Sequence, residues 1–217
     1  MVAGRRVAEI CGSQVKRVAL ELGGKSAAIV CEDADLATVV PGLAAASVIN
    51  SGQACAAQTR ILIPESRYEE YLSALADAYQ AMKLGDPAEP DTQLGPMIHE
   101  RHFNRVKECI AMGVSEGARI VTGGCTPPPL EPGYFIEPTL LADVNNNMRV
   151  AREEIFGPVV CAIPYKDEED AIRIANDSDL GLSGSVWTAD IEKGLEIGRA
   201  IQAVSYTHLT LPTKRIV

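Results

Sequence analysis

The sequence is poor in aromatic residues and in basic charge. Phe, Trp and Tyr make up 5% of its 217 residues and hydrophobic residues 47%, so a core would be mainly aliphatic. Asp and Glu number 29 against 20 Lys and Arg, which gives a net charge of −9. Because phosphate neutralisation needs clustered Lys and Arg, we expect no nucleic-acid partner.

Long hydrophobic runs are also absent. No apolar segment approaches the roughly 20 residues that a helix needs to cross a bilayer. The first residues, MVAGRR, are not followed by the apolar stretch of a secretory signal. We therefore expect no membrane partner and no secretory signal.

The six cysteines match neither a disulfide framework nor a metal site. They stand at positions 11, 31, 55, 109, 125 and 161, without a CxxC pair. In a chain of this size, that spacing predicts reduced thiols and a cytoplasmic location. His99 and His102 lie three residues apart without a nearby cysteine or an HExxH pattern. We predict that both are surface residues and that the chain holds no metal.

Short apolar runs alternate with segments of helical periodicity. Strands are predicted at residues 18–20, 27–31, 60–63, 119–122, 159–163 and 185–187. Helices are predicted over 5–11, from about 35 to 50, and from about 66, 99, 167 and 190. Their predicted caps are Asp33 or Asp35, a Ser66–Glu69 capping box, Asp167 and Asp190. Pro41 fits the second helix only near its start. This alternation predicts an α/β fold with a mostly parallel sheet.

The first motif that indicates chemistry is LELGGK, residues 20–25. Glu21 ends an apolar run and is followed at once by Leu22 and two glycines. Binding sites collect at the ends of parallel strands, and glycines let a ligand or another backbone come close. Apolar surroundings would favour Glu21 as a general base near neutral pH. An ordinary turn after a strand is the alternative.

The second motif is NSGQACA, residues 50–56, where a predicted helix ends and a thiol follows among small residues. Small neighbours would leave room for a substrate beside the sulfur of Cys55. The other five cysteines lie in predicted helix faces, strands or a loop and are typical of small hydrophobic residues. A structural role for Cys55 is the alternative.

Together, these motifs resemble the two active-site signatures of the aldehyde dehydrogenase superfamily. They occur in the family's order, and Cys55 follows Glu21 by 34 positions. Residues 153–159, EEIFGPV, resemble the family's cofactor-contacting segment. Residues 94–96 (LGP) and 175–184 (ANDSDLGLSG) are also similar. The resemblance runs from about residue 3 to about residue 203 and implies a catalytic domain with three layers.

The resemblance implies a reaction and a cofactor. Cys55 would attack an aldehyde as a thiolate to form a thiohemiacetal, and hydride transfer to NAD or NADP would leave a thioester. Glu21 would activate the water that releases a carboxylic acid, and the Cys55 backbone N–H would stabilise the oxyanion. The residues implied to contact the cofactor are Gly4 (phosphate-binding turn), Leu22 and Gly23 (beside the nicotinamide), Glu154 (ribose hydroxyls) and Phe156 (nicotinamide ring).

The resemblance also divides the chain. Residues 1–21 would be the last helix and strand of a Rossmann-like dinucleotide-binding domain, and residues 22–203 the catalytic domain. Residues 204–217 are expected to lie outside the family resemblance. We expect this tail to be unrelated joined sequence that packs against nothing, although it could form an exposed strand. A natural divergent end is the alternative.

Two other functions stay open beside that of the family, whose parent enzyme would be a homo-oligomer acting on a small aldehyde. The chain could be a catalytically inert fragment, since most of the dinucleotide-binding half would lie upstream. It could also be a cysteine esterase, because Cys55 and Glu21 could hydrolyse activated esters without a cofactor.

Overall fold

The computed structural model describes residues 1–209. Its helices are α1 (Val2–Ser13), α2 (Leu36–Val48), α3 (Tyr68–Gln80), α4 (Glu100–Ser115), α5 (Arg149–Arg152), α6 (Glu168–Asn176) and α7 (Ile191–Ala200). Its strands are β1 (Ala27–Val30), β2 (Arg60–Pro64), β3 (Arg119–Thr122), β4 (Thr139–Ala142), β5 (Val159–Tyr165), β6 (Ser183–Trp187) and β7 (Ser205–Leu209). Short 3-10 helices occupy Ile49–Gly52, Glu65–Arg67 and Pro128–Leu130.

The strands of this described part form a single sheet in the order β3-β4-β5-β2-β1-β6-β7. All neighbouring pairs are parallel except β3 and β4. Parallel strands need crossover connections, and the helices in those connections cover both faces of the sheet. Every residue of β1, β2 and β4 is accordingly buried. The predicted α/β fold with a mostly parallel sheet is confirmed.

The core lies in two layers, one on each side of the sheet. Ile29 of β1 packs with residues of α4, α6 and α7, while its neighbours Ala28 and Val30 pack with α2 and α3. This division follows from the alternation of side chains along a strand. With helices on both faces, the predicted three-layer arrangement is confirmed.

Most predicted helix starts are confirmed by side-chain caps. Asp35 accepts the Thr38 N–H at 3.1 Å, and Asp167 accepts the Asp170 N–H at 2.9 Å. Asp190 caps α7, and the Nδ1 atom of His99 accepts the His102 N–H at 3.0 Å at the start of α4. Each cap satisfies a backbone donor that lacks a partner within its own helix.

Three local predictions are wrong. Residues 18–20 form no strand, because no neighbouring strand pairs with them within residues 1–209. Pro41 lies inside α2 rather than near its start, since apolar residues on both sides of it pack against the sheet. Ser66 does not cap α3; its hydroxyl donates to Glu32 at 2.6 Å, and α3 begins only at Tyr68, after a 3-10 turn.

The predicted tail is partly described. Ser205–Leu209 forms β7, which pairs in parallel with β6 from Ser183↔Ser205 to Trp187↔Leu209. The expectation of a strand is confirmed for these five residues, and the expectation that they pack against nothing is wrong. Residues 210–217 lie outside the described residues. Within residues 1–209, no helix is both long and apolar enough to cross a membrane.

Candidate active site

The paired glycines of the first motif lie where three segments of the chain meet. A Cβ atom built on Gly24 would lie 2.2 Å from the carbonyl oxygen of Cys55. One built on Gly23 would lie 2.0 Å from Oε2 of Glu154, and the Gly24 N–H donates to Oε1 of Glu154 at 3.1 Å. At Gly24, where the neighbouring atom belongs to the backbone, only glycine permits an approach this close. The fold therefore brings together the two predicted signatures and the predicted cofactor-contacting segment.

The segment before Cys55 is held in an unusual backbone conformation. Asn50, Ser51 and Gly52 have φ angles of 52°, 56° and 71°, in the left-handed region. Asn50 tolerates this region well, and its side chain donates to the Gln53 carbonyl at 3.1 Å. A Cβ built on Gly52 would lie 2.1 Å from the Gly157 carbonyl oxygen. The end of α2 is thereby fixed against the segment that follows Phe156.

The residues that follow α2 also bind the LGP motif. The Ser51 hydroxyl donates to the Gly95 carbonyl at 2.9 Å. Gln53 makes two bonds: its amide nitrogen donates to the Pro96 carbonyl at 3.2 Å, and its amide oxygen accepts the Ile98 N–H at 2.9 Å. Residues 95–98 thus form a fixed wall beside the loop that carries the thiol.

Cys55 is exposed and lies in a turn closed by a hydrogen bond from the Ala57 N–H to the Ala54 carbonyl at 3.1 Å. Within residues 1–209, its own backbone N–H has no hydrogen-bond acceptor. An exposed sulfur next to a free backbone donor can accommodate both a carbonyl carbon and its oxygen.

Four of the other five described thiols have a raised pKa. Cys31, Cys109 and Cys161 are buried, and burial raises the pKa of each thiol, for Cys31 to about 12. Cys125 is exposed, but its thiol donates to Glu137 at 3.0 Å, and that bond raises its pKa. Since the thiolate is the reactive form, these four thiols are disfavoured as nucleophiles.

Glu21 lies three residues before Gly24, on the same stretch of backbone that contacts the Cys55 loop. Its side chain is exposed, and Leu20 beside it is 39% exposed. The expected apolar enclosure of Glu21 is therefore wrong for the described residues, because the run before it is not a buried strand. Its carboxylate has no hydrogen-bond partner within residues 1–209 and remains free to act on a water molecule.

Gly4 and Leu22 contact each other at the other end of the same segment. Gly4 is the buried residue of α1, and a Cβ built on it would lie 2.6 Å from Cδ2 of Leu22. Because Leu22 precedes Gly23 in the chain, this contact brings the first turn of α1 close to the paired glycines. Of the residues predicted to contact the cofactor, Gly4, Leu22, Gly23 and Glu154 are thus linked by successive contacts.

Glu154 and Phe156 follow α5 and are held by α4, a helix that the sequence did not connect with the site. The Arg105 guanidinium donates to the Glu154 carbonyl at 3.2 Å. The Phe156 carbonyl lies 2.6 Å from Nε2 of His102, and the two rings pack edge to face. His99 is exposed as predicted, and His102 is partly buried, so the predicted surface position is met in full by His99 and in part by His102. The sequence offered one signal for this contact, the spacing of three residues between His99 and His102, which is typical of neighbours on a helix.

A buried arginine fixes the segment that follows the paired glycines. Nε of Arg60 donates to the Lys25 carbonyl at 2.8 Å. Its other nitrogens donate to the Asn146 side chain and to the Ile174 and Ala175 carbonyls, each at 2.9 Å. Nothing in the sequence distinguishes Arg60, because an arginine at the start of a strand is usually exposed.

Lys25 is 1% exposed, and its Nζ atom has no hydrogen-bond partner within residues 1–209. Burial lowers the pKa of Lys25, because the charged ammonium loses its hydration. The positive charge of Arg60 lowers it further. The residue that follows Gly24 is therefore a lysine whose charged form is disfavoured by its surroundings.

The surface around Gly23 has the right chemistry for a sugar carrying neighbouring hydroxyl groups. Glu154 receives one bond from the Gly24 N–H, and a carboxylate can accept about four. Phe156 presents a ring that is 39% exposed. No cluster of three or more His, Cys, Asp or Glu suited to a metal is found in the described part of the chain.

Comparisons with known proteins identify the family of this chain. Residues 1–213 match the model of the aldehyde dehydrogenase family. The chain is 46% identical over 200 residues to a geranial dehydrogenase of Castellaniella defragrans, covering 92% of this chain and 41% of that protein. It is 44% identical over 201 residues to a 3-succinoylsemialdehyde-pyridine dehydrogenase of Pseudomonas sp, covering 92% and 42%.

Solved structures give the same result. An aldehyde dehydrogenase of Mycobacterium tuberculosis complexed with NAD+ superposes with a TM-score of 0.93 at 48% identity, over 98% of this chain and 44% of that one. A mutant aldehyde dehydrogenase of Pseudomonas syringae, complexed with NAD+ and octanal, gives 0.91 at 40% identity, over 98% and 44%. The chain spans less than half the length of these relatives.

Proposed function

Because this chain belongs to the aldehyde dehydrogenase family, we propose that it carries the cysteine chemistry that oxidises an aldehyde to a carboxylic acid with NAD or NADP. The observation that supports this most directly is the meeting of three segments at Gly23 and Gly24. These glycines join the stretch that carries Glu21 to the Cys55 loop and to the Glu154 carboxylate.

Cys55 acts as the nucleophile in this proposal. Its thiolate attacks the aldehyde carbon, a C–S bond forms, and the carbonyl oxygen takes up negative charge as the thiohemiacetal develops. The free Cys55 backbone N–H donates to that oxygen. A preorganised donor stabilises developing charge without reorganising during the reaction.

Five residues at or near the paired glycines would contact the cofactor. Glu154 would accept hydrogen bonds from the nicotinamide ribose hydroxyls, and Phe156 would pack near the ring. Leu22 and Gly23 would lie beside the nicotinamide, and Gly4 would belong to the phosphate-binding turn. When bound, the nicotinamide supplies the hydride acceptor that turns the thiohemiacetal carbon into a thioester carbonyl.

Glu21 is proposed to release the product. Its carboxylate accepts a proton from a water molecule whose oxygen attacks the thioester carbonyl, and the C–S bond then breaks to regenerate the Cys55 thiolate. A glutamate at this position favours hydrolysis to the free acid over transfer to coenzyme A, since the branch of the family that uses coenzyme A often lacks it. A homo-oligomeric parent enzyme and a cytoplasmic location stay predictions.

A second function is supported by the exposure of Cys55. Acylation by an activated ester needs only the thiolate, the backbone donor and water, so the chain could hydrolyse esters without a dinucleotide. The same covalent thioester forms by either route. Ester chemistry therefore tests the roles of Cys55 and Glu21 on this chain directly.

The test is acylation by 4-nitrophenyl acetate, followed by peptide mass spectrometry. We expect an acetyl group on Cys55, its absence in Cys55→Ala, and its presence in Cys125→Ala, which removes the other exposed thiol. In Glu21→Gln the amide cannot accept a proton, so the acetyl group should persist and turnover should slow by roughly 10²–10⁴. Acetylation elsewhere, or equal release in Glu21→Gln and the parent chain, would contradict the assignment.

The same variants test aldehyde oxidation when an aldehyde and NAD(P) replace the ester. Formation of NAD(P)H by the parent chain but not by Cys55→Ala supports aldehyde oxidation. Ester turnover without any NAD(P)H shows that the Cys55 chemistry operates on this chain without a dinucleotide, and the absence of both indicates an inert fragment.

A further inference from the structure

Phe156 has a backbone conformation that something must hold in place. Its φ angle of 60° lies in the left-handed region, which aromatic residues rarely occupy. Its ring is 39% exposed and lines a cavity of about 660 Å³ that also includes Asn50, Ser51 and Gln53 of the Cys55 loop. The orientation of this ring therefore determines the shape of a cavity lined by residues that shortly precede Cys55.

The contacts that hold Phe156 come from α4. Nε2 of His102 lies 2.6 Å from the Phe156 carbonyl oxygen. Because a carbonyl can only accept, this ring nitrogen must carry the proton and donate. The His102 ring also packs against the Phe156 ring, with centroids 6.2 Å apart and planes at 62°. One side chain thus fixes both the backbone and the ring of Phe156.

His99 supports His102, and two further residues of α4 contact the chain on either side of Phe156. Nδ1 of His99 accepts a hydrogen bond from the backbone N–H of His102. The two imidazole rings pack edge to face, with centroids 6.1 Å apart. Arg105 donates to the Glu154 carbonyl. A Cβ built on Gly157 would lie 2.7 Å from Val106. The chain on either side of Phe156 is therefore anchored to the same helix.

We propose that His102 is a positioning residue that holds Phe156 in its left-handed conformation and so orients the ring. The inference rests on the proposed function, in which Phe156 packs near the nicotinamide. His102 acts through the Phe156 carbonyl and ring. It takes no part in the covalent steps at Cys55.

The experiment is ¹⁹F NMR of the full chain labelled with 4-fluorophenylalanine. The sequence has three phenylalanines, Phe103, Phe135 and Phe156, so three resonances can be assigned by substitution. In His102→Leu, which lacks a donor, the Phe156 resonance should move most of the way to its position in urea or split into several conformers. In His102→Gln, whose amide donates at a similar reach, it should stay near its original position. Phe135 serves as the control for folding and should not move.

Further outcomes keep the test decisive if His102→Leu does not fold. His102→Asn is polar but too short to reach the carbonyl, so it should resemble the expected leucine result. An unchanged Phe156 resonance in both His102→Asn and His102→Leu would overturn the proposal. Equal displacement in the glutamine and asparagine variants, or a parent resonance already at the urea position, would also overturn it. Because no cofactor or substrate is present, this result is independent of the ester test of Cys55 and Glu21.

Discussion

Gly24 lies directly against the backbone of Cys55, so that a methyl group on Gly24 would lie 2.2 Å from the Cys55 carbonyl oxygen. The contact is between two backbones, and neither can rotate away as a side chain could. The position of the thiol therefore depends on the absence of a side chain 31 residues earlier in the sequence.

Gly24→Ala should displace the Cys55 turn. We expect the free energy of unfolding to fall by about 1–3 kcal/mol, the usual cost of overpacking, and the alkylation rate of Cys55 to change. Urea denaturation and iodoacetamide labelling followed by mass spectrometry measure the two effects. Gly12→Ala is the matched control, because no atom lies within 4 Å of its added methyl. It should be neutral or stabilising by up to about 1 kcal/mol. Equal effects in the two variants would argue against the contact.

Lys25→Met should stabilise the chain at neutral pH by about 1–3 kcal/mol, the cost of a buried polar group without a partner. Because burial lowers the pKa of Lys25, the unfolded chain binds this proton more tightly than the folded chain does. The stability of the parent chain should therefore rise as the pH increases towards the ordinary lysine pKa of 10.5. The advantage of the methionine variant should shrink over the same range.

Denaturation midpoints measured between neutral pH and about pH 10 test this sign. The exposed Lys16 provides a control of the same charge, and Lys16→Met should leave the pH dependence unchanged. A methionine variant that is less stable than the parent chain at every pH would mean that the Lys25 ammonium has a favourable partner.

This chain alone should bind NAD(P) too weakly for calorimetry at millimolar concentration. Among the described residues, the proposed polar contact with the cofactor is the Glu154 carboxylate. Its hydrogen bonds to the ribose hydroxyls contribute a few kcal/mol, and the loss of translational and rotational freedom on binding offsets most of that gain. A dissociation constant of about 1 mM already requires about 4 kcal/mol. A clear isotherm with micromolar affinity, lost in Glu154→Gln, would show that the chain supplies further contacts.

The sequence could predict the parts of the fold that depend on local pattern. Apolar runs of four or five residues located β1, β2 and β5, and Asp167 and Asp190 located the starts of α6 and α7. The paired glycines were notable beforehand because two adjacent glycines in a motif indicate a close approach. Which backbones approach them could not be predicted, since Cys55 and Glu154 come close only when the sheet has formed.

The predictions that failed concern contacts between parts of the chain that are far apart in sequence. His102 and Arg60 act through main-chain carbonyls far along the chain, and a carbonyl acceptor leaves no trace in residue identity. Glu21 was expected among apolar residues, but the run before it pairs with no strand and stays exposed. Pro41 lacks a backbone donor, which predicts a position only near a helix start, but packing of α2 against the sheet outweighs that loss.

Arg60 makes three of its four hydrogen bonds to main-chain carbonyls, those of Lys25, Ile174 and Ala175. A carbonyl is present whatever side chain the residue carries. These three positions could therefore exchange side chains during evolution without losing the bonds that tie them together, whereas Arg60 itself could not be replaced by lysine, whose single nitrogen cannot reach all of them. The hydrogen bonds that hold the residue after the paired glycines are thus expected to persist even where the side chains at these three positions change.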